Sequence, residues 1–220
     1  MIAQDLISNL IKEIKLSDSC DYAMEWMTDN QLLHLPVIEN GKFLGIVSEE
    51  AILNLVDTSQ TIEESKIQLH QNFVWANTHI YDVVRITANS RLTVIPVIDK
   101  KVNYLGVITI HDIYANLAKL SSMTDLGGIL VLEVDNRDFV LSEISRIVES
   151  CNAIILSCFT NANTQANKIE ITLKINLSDL SEVVETLERF DYTISQSYYE
   201  SDSRSNLEDR YDSLMKYLNT

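Results

Sequence analysis

Proline is almost absent from this chain. Two occur in 220 residues, Pro36 and Pro96, and they stand 60 residues apart. Glycine is also scarce, with five in all. The chain has no Gly-x-Gly-x-x-Gly, no phosphate loop ending in Gly-Lys-Ser/Thr and no Gly-x-Ser-x-Gly elbow. Gly127-Gly128 reads as a linker. The three cysteines, Cys20, Cys151 and Cys158, are odd in number and show no Cys-x-x-Cys spacing. This suits buried thiols in a reduced cytoplasmic setting. Four scattered histidines, His34, His70, His79 and His111, give no metal-ligand spacing. Neither a metal nor a catalytic residue is expected, because no nucleophile and base stand in a recognisable pattern.

Positive charge is short as well. Seventeen Lys and Arg face 32 Asp and Glu, a formal net charge of −15. Such a surface repels nucleic acid and anionic lipid, so neither is an expected partner. Its ordinary role is solubility. The longest apolar runs, such as Ile129 to Leu132, fall far short of the roughly 20 residues that span a bilayer. The N-terminus opens Met1-Ile2-Ala3-Gln4-Asp5, which does not read as a secretory signal.

What the chain does have is one stretch written twice. The first copy runs His34-Leu35-Pro36-Val37-Ile38, a polar turn, then Phe43-Leu44-Gly45-Ile46-Val47-Ser48. The second runs Val94-Ile95-Pro96-Val97-Ile98, a turn, then Tyr104-Leu105-Gly106-Val107-Ile108-Thr109. Each reads as two short buried strands joined by a hairpin. Asn40-Gly41 suits the positive φ angles of a type I′ turn. The second turn, Asp99 to Asn103, is one residue longer and has no glycine. Ser48 and Thr109 are good N-caps for the helices that follow. The register extends upstream, pairing Ala23 with Val83, Trp26 with Ile86 and Leu32 with Leu92. Each copy is therefore strand, helix, strand, strand, helix.

This doubled pattern resembles a pair of cystathionine-β-synthase-type (CBS) domains. It spans residues 1–122, with repeat 1 at about 1–60 and repeat 2 at about 73–120. Ahead of the first copy, Ile2, Leu6, Ile7, Leu10, Ile11 and Ile14 recur at helical spacing and predict an amphipathic helix packed on it. Ser17 or Asp18 is the expected cap of the next helix. Residues 57–72 read as a polar, partly helical connector.

Ser121 to Gly128 marks a change of composition and a domain boundary. Beyond it the expected order is strand (129–134), helix (Phe139, Val140, Ile144, Ile147, Val148), strand (154–159), loop (161–167), strand (168–175), helix capped by Ser178, and a last strand from Tyr192. Ile169, Ile171, Leu173 and Ile175 alternate with polar residues, giving a half-solvated strand. This βαββαβ order is the ferredoxin-like layout, so the whole chain is α+β. After a CBS pair, the segment 127–199 resembles an ACT domain, and the combination is similar to acetoin-utilisation-type bacterial regulatory proteins. A tail, 201–220, carries the helical stripe Leu207, Tyr211, Leu214, Met215 and Leu218.

Gly106-Val107-Ile108-Thr109-Ile110-His111-Asp112 carries the chemistry. In CBS pairs that bind adenosine compounds, a hydroxyl and a carboxylate at this spacing grip ribose and phosphate. The resemblance places AMP, ATP or another adenosine-containing ligand at Thr109 and Asp112. Val74, Trp75, Ala76, Ile95 and Pro96 are the expected apolar surround of the base. The physics is sound: a carboxylate accepts from ribose hydroxyls and a helix N-terminus favours phosphate. The same two residues also spell a capping box, which needs no ligand. In the first copy Ala51 stands where Asp112 stands in the second, and Glu49 and Glu50 add negative charge, so that half-site is expected to be empty or altered. The ACT-like segment keeps Asp135 at its first turn but lacks the glycine that ligand-binding members carry. A dimer-forming role suits it better. The resemblance implies a non-catalytic regulatory protein, a homodimer, with a nucleotide ligand and a protein target. The alternative is an assembly module without a ligand.

Overall fold

The computed structural model describes residues 1–8, 11–163 and 167–198. Leu10 and the tail helix expected over Leu207 to Leu218 lie outside them. The chain divides into two compact units, Met1–Leu117 and Ala118–Thr220. The first holds α1 (Cys20–Asp29), β1 (His34–Glu39), β2 (Lys42–Ser48), α2 (Glu49–Leu53), α3 (Ile62–Ser65), β3 (Val74–Trp75), α4 (Ile80–Asn89), β4 (Val94–Ile98), β5 (Tyr104–Thr109) and the start of α5 (Ile110–Leu120). The second holds β6 (Gly128–Asp135), α6 (Leu141–Ser150), β7 (Ile155–Asn163), β8 (Lys168–Ile175), α7 (Ser181–Arg189) and β9 (Thr193–Tyr198). The fold is mixed α+β.

The two copies are alike down to their irregularities. β1–β2 and β4–β5 are antiparallel hairpins. In each, one leucine is squeezed out as a bulge: Val37 faces Gly45 while Ile38 faces Phe43, and Val97 faces Gly106 while Ile98 faces Tyr104. Asn40 and Gly41 take φ of 52° and 74°, as a type I′ turn requires. The longer second turn is held by Asp99, whose carboxylate accepts from the Lys101 and Asn103 amides at 2.7 and 2.9 Å.

The expected N-terminal helix does not form. Ala3–Leu6 makes one 3-10 turn, and the rest of the described segment is spent on strand edges. The Ser8 amide donates to Val107 O at 2.8 Å. Ile14 donates to Pro36 O at 3.0 Å and accepts from the Ile38 amide at 2.8 Å. Ala3, Leu6 and Ile14 are buried all the same. Edge strands carry donors and acceptors that must be met, and this outweighs a helical spacing of apolar residues. The connector does the same on the other side: His70 and Ile46 exchange two backbone bonds of 2.9 Å each. The segment leading into the first copy thus edges the second hairpin, and the segment leading into the second edges the first. Gly45 and Gly106 make room for these crossings. A Cβ on Gly106 (φ +148°) would lie 2.4 Å from Ile7 Cγ2, and one on Gly45 (φ +155°) 2.5 Å from Leu69 Cβ.

The leading strand expected of the first copy is a single parallel bridge, Ile14 to Val37, matching the two-residue β3 of the second, where Val74 meets Val97. α1 is capped by Ser19, whose hydroxyl accepts from the Tyr22 amide, rather than by Ser17 or Asp18. Asp18 instead accepts from the Lys15 amide at 2.8 Å and closes the turn before it. Two apolar cores form, and each draws on both copies. Ile38, Phe43 and Ile46 join the core under α4, while Val94 and Val107 join the core under α1. Neither copy buries its apolar surface alone.

In the second unit the sheet order is β7-β8-β6-β9, antiparallel throughout, the ferredoxin-like arrangement. Leu130, Leu132, Ile171, Leu173 and Ile175 meet Ile144, Val148, Val183 and Leu187 in one core. α6 starts at Leu141, so Phe139 packs beside the helix and Val140 is its N-cap. α7 starts at Ser181 rather than after Ser178, because Asp179 accepts from the Ser181 amide and hydroxyl at 2.9 and 2.7 Å and turns the chain there. β7 runs on to Asn163, taking up residues expected in a loop, because β8 is long enough to pair with them. β9 begins after Tyr192, whose ring is buried and whose hydroxyl donates to Glu143 at 3.2 Å. Among the described residues no helix is long and apolar enough to cross a membrane.

Candidate functional site

β5 ends at Thr109 and α5 begins one residue later, so the hydroxyl sits at a helix N-terminus. The capping box is complete. The Thr109 amide and hydroxyl both donate to Asp112 Oδ2, at 2.9 and 2.6 Å. The Asp112 amide donates back to Thr109 Oγ1 at 3.1 Å. Thr109 is buried and Asp112 half-buried. All of this uses one carboxylate oxygen. Asp112 Oδ1 accepts no hydrogen bond among the described residues.

The site stands at the junction of the two copies. The Ile110 amide donates to Thr93 O at 3.0 Å, as the Glu49 amide donates to Leu33 O at 2.9 Å in the first copy. Thr93 Oγ1 accepts from the Leu33 amide at 3.1 Å and lies 3.2 Å from His34 Nδ1. The Thr93 amide donates to that nitrogen at 3.3 Å, which leaves the ring proton on Nε2. Burial, followed by the nearby His70, holds the His34 pKa below its ordinary value. Leu33, His34 and Thr93 were not anticipated near Thr109. The signal was present in the 60-residue register, which makes Leu33 and Thr93 counterparts just ahead of paired strands.

The expected surround of the base is not gathered around Thr109 and Asp112. Thr109 pairs with Val94 at the start of β4. Trp75 pairs with Ile98 at its end, on the opposite flank of the strand. The two are four residues apart along β4, roughly 13 Å at the usual strand rise. The Ala76 amide donates to Ile98 O and its carbonyl accepts from Gln4, so it lies at that far end too. Trp75 is 40% exposed and edge-on to Phe73, with ring centres 5.2 Å apart, so it is not a core residue. Val74 and Ile95 are core residues, Ile95 pairing with Ile108 just before Thr109, and Pro96, also buried, pairs with Val107 one residue farther away. Of the seven candidates the structure brings Thr109 and Asp112 together. In the first copy Ser48 caps α2 through the Ala51 amide at 3.3 Å, with no carboxylate at Ala51 and with Glu49 and Glu50 in the first turn.

In the second unit a cavity of about 340 Å³ opens at the Asp135 turn. Glu133, Asp135, Asp138, Glu143 and Asp191 face it with a single ammonium, Lys168, which is paired with Glu133. This wall repels an anion.

The doubled hairpin, its shared bulge and the capped helix agree with a comparison of the sequence against protein families. Residues 12–58 and 70–119 each match the model of the CBS domain. The N-terminal unit carries a CBS domain pair. Solved structures resemble it over about half of the chain. A CBS domain pair/ACT domain protein from Thermotoga maritima is 21% identical, with 54% of this chain and 98% of that one covered and a TM-score of 0.49. CBSX2, a CBS-pair protein of Arabidopsis thaliana, solved in complex with AMP, is 18% identical, with 54% and 96% covered and a TM-score of 0.46. The cytosolic domain of a Mg2+ channel in complex with ATP is 18% identical, with 52% and 48% covered and a TM-score of 0.44.

Proposed function

We propose that the CBS pair is a non-catalytic regulatory module that binds one adenosine-containing ligand, of the AMP or ATP class, per chain. Asp112 Oδ1 accepts from the ribose hydroxyls, while Thr109 and the N-terminal end of α5 face the phosphate. The observation that carries this reading is the unused carboxylate oxygen. The capping box needs one acceptor, and the second is left beside a helix N-terminus at the junction of the copies. The ferredoxin-like unit is ACT-like in this reading. With the CBS pair it has the layout of acetoin-utilisation-type regulators, and it serves a homodimer in the cytoplasm that passes ligand state to a protein target.

A ligandless assembly module is the second reading, favoured by the completeness of the capping box itself. Thermal unfolding with and without AMP, ADP, ATP, S-adenosylmethionine, NAD and cyclic dinucleotides separates them. The first reading expects one class of adenosine compound to raise the melting point of the wild type and to leave Asp112→Ala nearly unmoved. No shift with any of them, or an equal shift in Asp112→Ala, leaves Thr109 and Asp112 as a helix cap alone.

A further inference from the structure

A histidine of the first copy is tied to the helix that carries the candidate site of the second. The tie is short and made of hydrogen bonds. His34 Nδ1 accepts from the Thr93 amide at 3.3 Å and lies 3.2 Å from Thr93 Oγ1. That hydroxyl oxygen accepts from the Leu33 amide at 3.1 Å. Thr93 O in turn accepts from the Ile110 amide at 3.0 Å. Ile110 is the first residue of α5 and follows Thr109 directly. Thr93 therefore meets His34 with its amide and hydroxyl, and the start of α5 with its carbonyl. The tie is not mirrored. Leu33 O accepts from the Glu49 amide at 2.9 Å, but the second copy has Val94 where the first has His34, a residue that does not titrate.

The ring must be neutral to make this contact. Accepting from the Thr93 amide uses the lone pair of Nδ1, and an imidazolium carries a proton on both nitrogens. Its Nδ1–H would meet the Thr93 N–H donor to donor, and a half-buried amide would lose its acceptor. The titratable group facing the ring is His70 of the connector, edge-on with ring centres 6.4 Å apart. On α2, Glu49 and Glu50 form the first turn. Arg91 stands two residues before Thr93, and the Asp112 carboxylate is turned to Thr109. On α1, which packs under β1, Asp21, Glu25 and Asp29 are exposed while Ala23 and Met27 face the core. Burial, and then His70, disfavour the imidazolium.

We propose that His34 is a positioning residue for the nucleotide site of the second copy, holding Thr93 and the start of α5 in the binding arrangement while its ring is neutral. Protonation of the ring frees the Thr93 amide, loosens the hold on Ile110 and lowers the affinity for a phosphate-bearing adenosine compound. This inference rests on the nucleotide reading above and adds its regulation by protons. Its sign is opposite to that of plain charge attraction, by which an imidazolium near the site draws the phosphate in.

The test is calorimetry on the full chain with AMP and, separately, ATP, at pH 7.5, 6.5 and 5.5. Wild type, His34→Asn and His34→Val are compared, each shown to be folded by thermal unfolding without ligand. The phosphate itself titrates near about pH 6, but equally for all three proteins, so affinities are read relative to one another. His34→Asn keeps an uncharged acceptor for the Thr93 amide. It is expected to bind as the wild type does at pH 7.5 and to lose less on acidification. The wild type is expected to lose roughly three- to tenfold more than His34→Asn across the range, within the tenfold per pH unit that one proton allows. His34→Val has no acceptor and is expected to bind more weakly than wild type already at pH 7.5, without the extra loss. Either variant serves as the reference that lacks a titrating ring. Parallel profiles in wild type and variant overturn the inference and leave the nucleotide reading standing. A wild-type affinity that rises against the variant as pH falls sets the ring against the phosphate and overturns it too. No binding of AMP or ATP by the wild type at pH 7.5 sinks the nucleotide reading and this inference with it.

Discussion

Gly106 shows how much of this fold depends on single atoms. Its φ of +148° is one that a side chain rarely adopts, and the space a Cβ needs is taken by Ile7. Gly41 also has positive φ, +74°, but nothing lies within 4 Å of its missing Cβ. Gly41→Ala therefore costs backbone strain only, about 1 kcal/mol, whereas Gly106→Ala adds a steric clash and is expected to cost roughly 2–4 kcal/mol. Chemical denaturation of the two variants checks the order, and equal losses would show that the N-terminal segment does not press on the bulge. His34 offers a second test at this scale. Its folded pKa lies below the ordinary 6.5 because burial, and then His70, disfavour the imidazolium. The unfolded chain takes up the proton first as pH falls, so His34 contributes stability above about pH 6.5 that is lost below it. The groups facing the ring are His70 and the Thr93 amide and hydroxyl. His34→Val installs the residue that the second copy has as Val94. The variant is expected to lose less stability than the wild type between pH 7.5 and 5.5, and identical slopes would refute the assignment.

Strands and helices were legible where a local pattern and the fold agreed. The two hairpins, the type I′ turn, the Ser48 and Thr109 caps and the alternation of β8 all follow from neighbouring residues. Ile169, Ile171, Leu173 and Ile175 do face the core as their spacing implies. Ile171 is fully buried and stands between Leu132 of β6 and Thr160 of β7. Ile171→Asp puts an unpaired carboxylate there and is expected to cost on the order of 4 kcal/mol or more. A chemical melt should then show the second unit unfolded while the first still gives a cooperative transition; unchanged stability would mean the register is wrong. The misreadings are of another kind. Ile2 to Ile14 has helical spacing, but its backbone is needed by two strand edges, at Val37 and Val107, that lie far apart in the chain, which no local window reveals. Val74, Trp75 and Ala76 read as apolar partners of a base because they precede a helix of the second copy. The parallel pairing of β3 with β4 sends them to the other end of the strand, and that pairing is a long-range fact.

At the scale of the molecule, two copies that share both of their cores hold a single carboxylate at the third helical position after the cap, and this asymmetry predicts a stoichiometry. Asp112 is present and its counterpart is Ala51. One nucleotide per chain is therefore expected, and Ala51→Asp, with Glu49 and Glu50 still beside it, is expected to add at most a weak second site. A ligand at about 100 times its dissociation constant stabilises the native state by about 2.7 kcal/mol. Each kcal/mol raises the melting point by roughly 2–8 °C over the range of domain sizes that includes Met1–Leu117, so a rise on the order of 10 °C is expected at saturation. Because the site lies wholly within the first unit, the rise should persist in Ile171→Asp, whose lesion is in the second. Asp112→Ala removes a capping contact as well as a ligand contact, costing about 1 kcal/mol without ligand. Each protein is therefore compared with itself, with and without nucleotide. Asp112→Asn keeps a side-chain acceptor for the Thr109 amide while removing the charge. It is expected to recover most of the ligand-free stability and little of the ligand-induced rise. Recovery of both would assign the carboxylate to the cap rather than to the ribose.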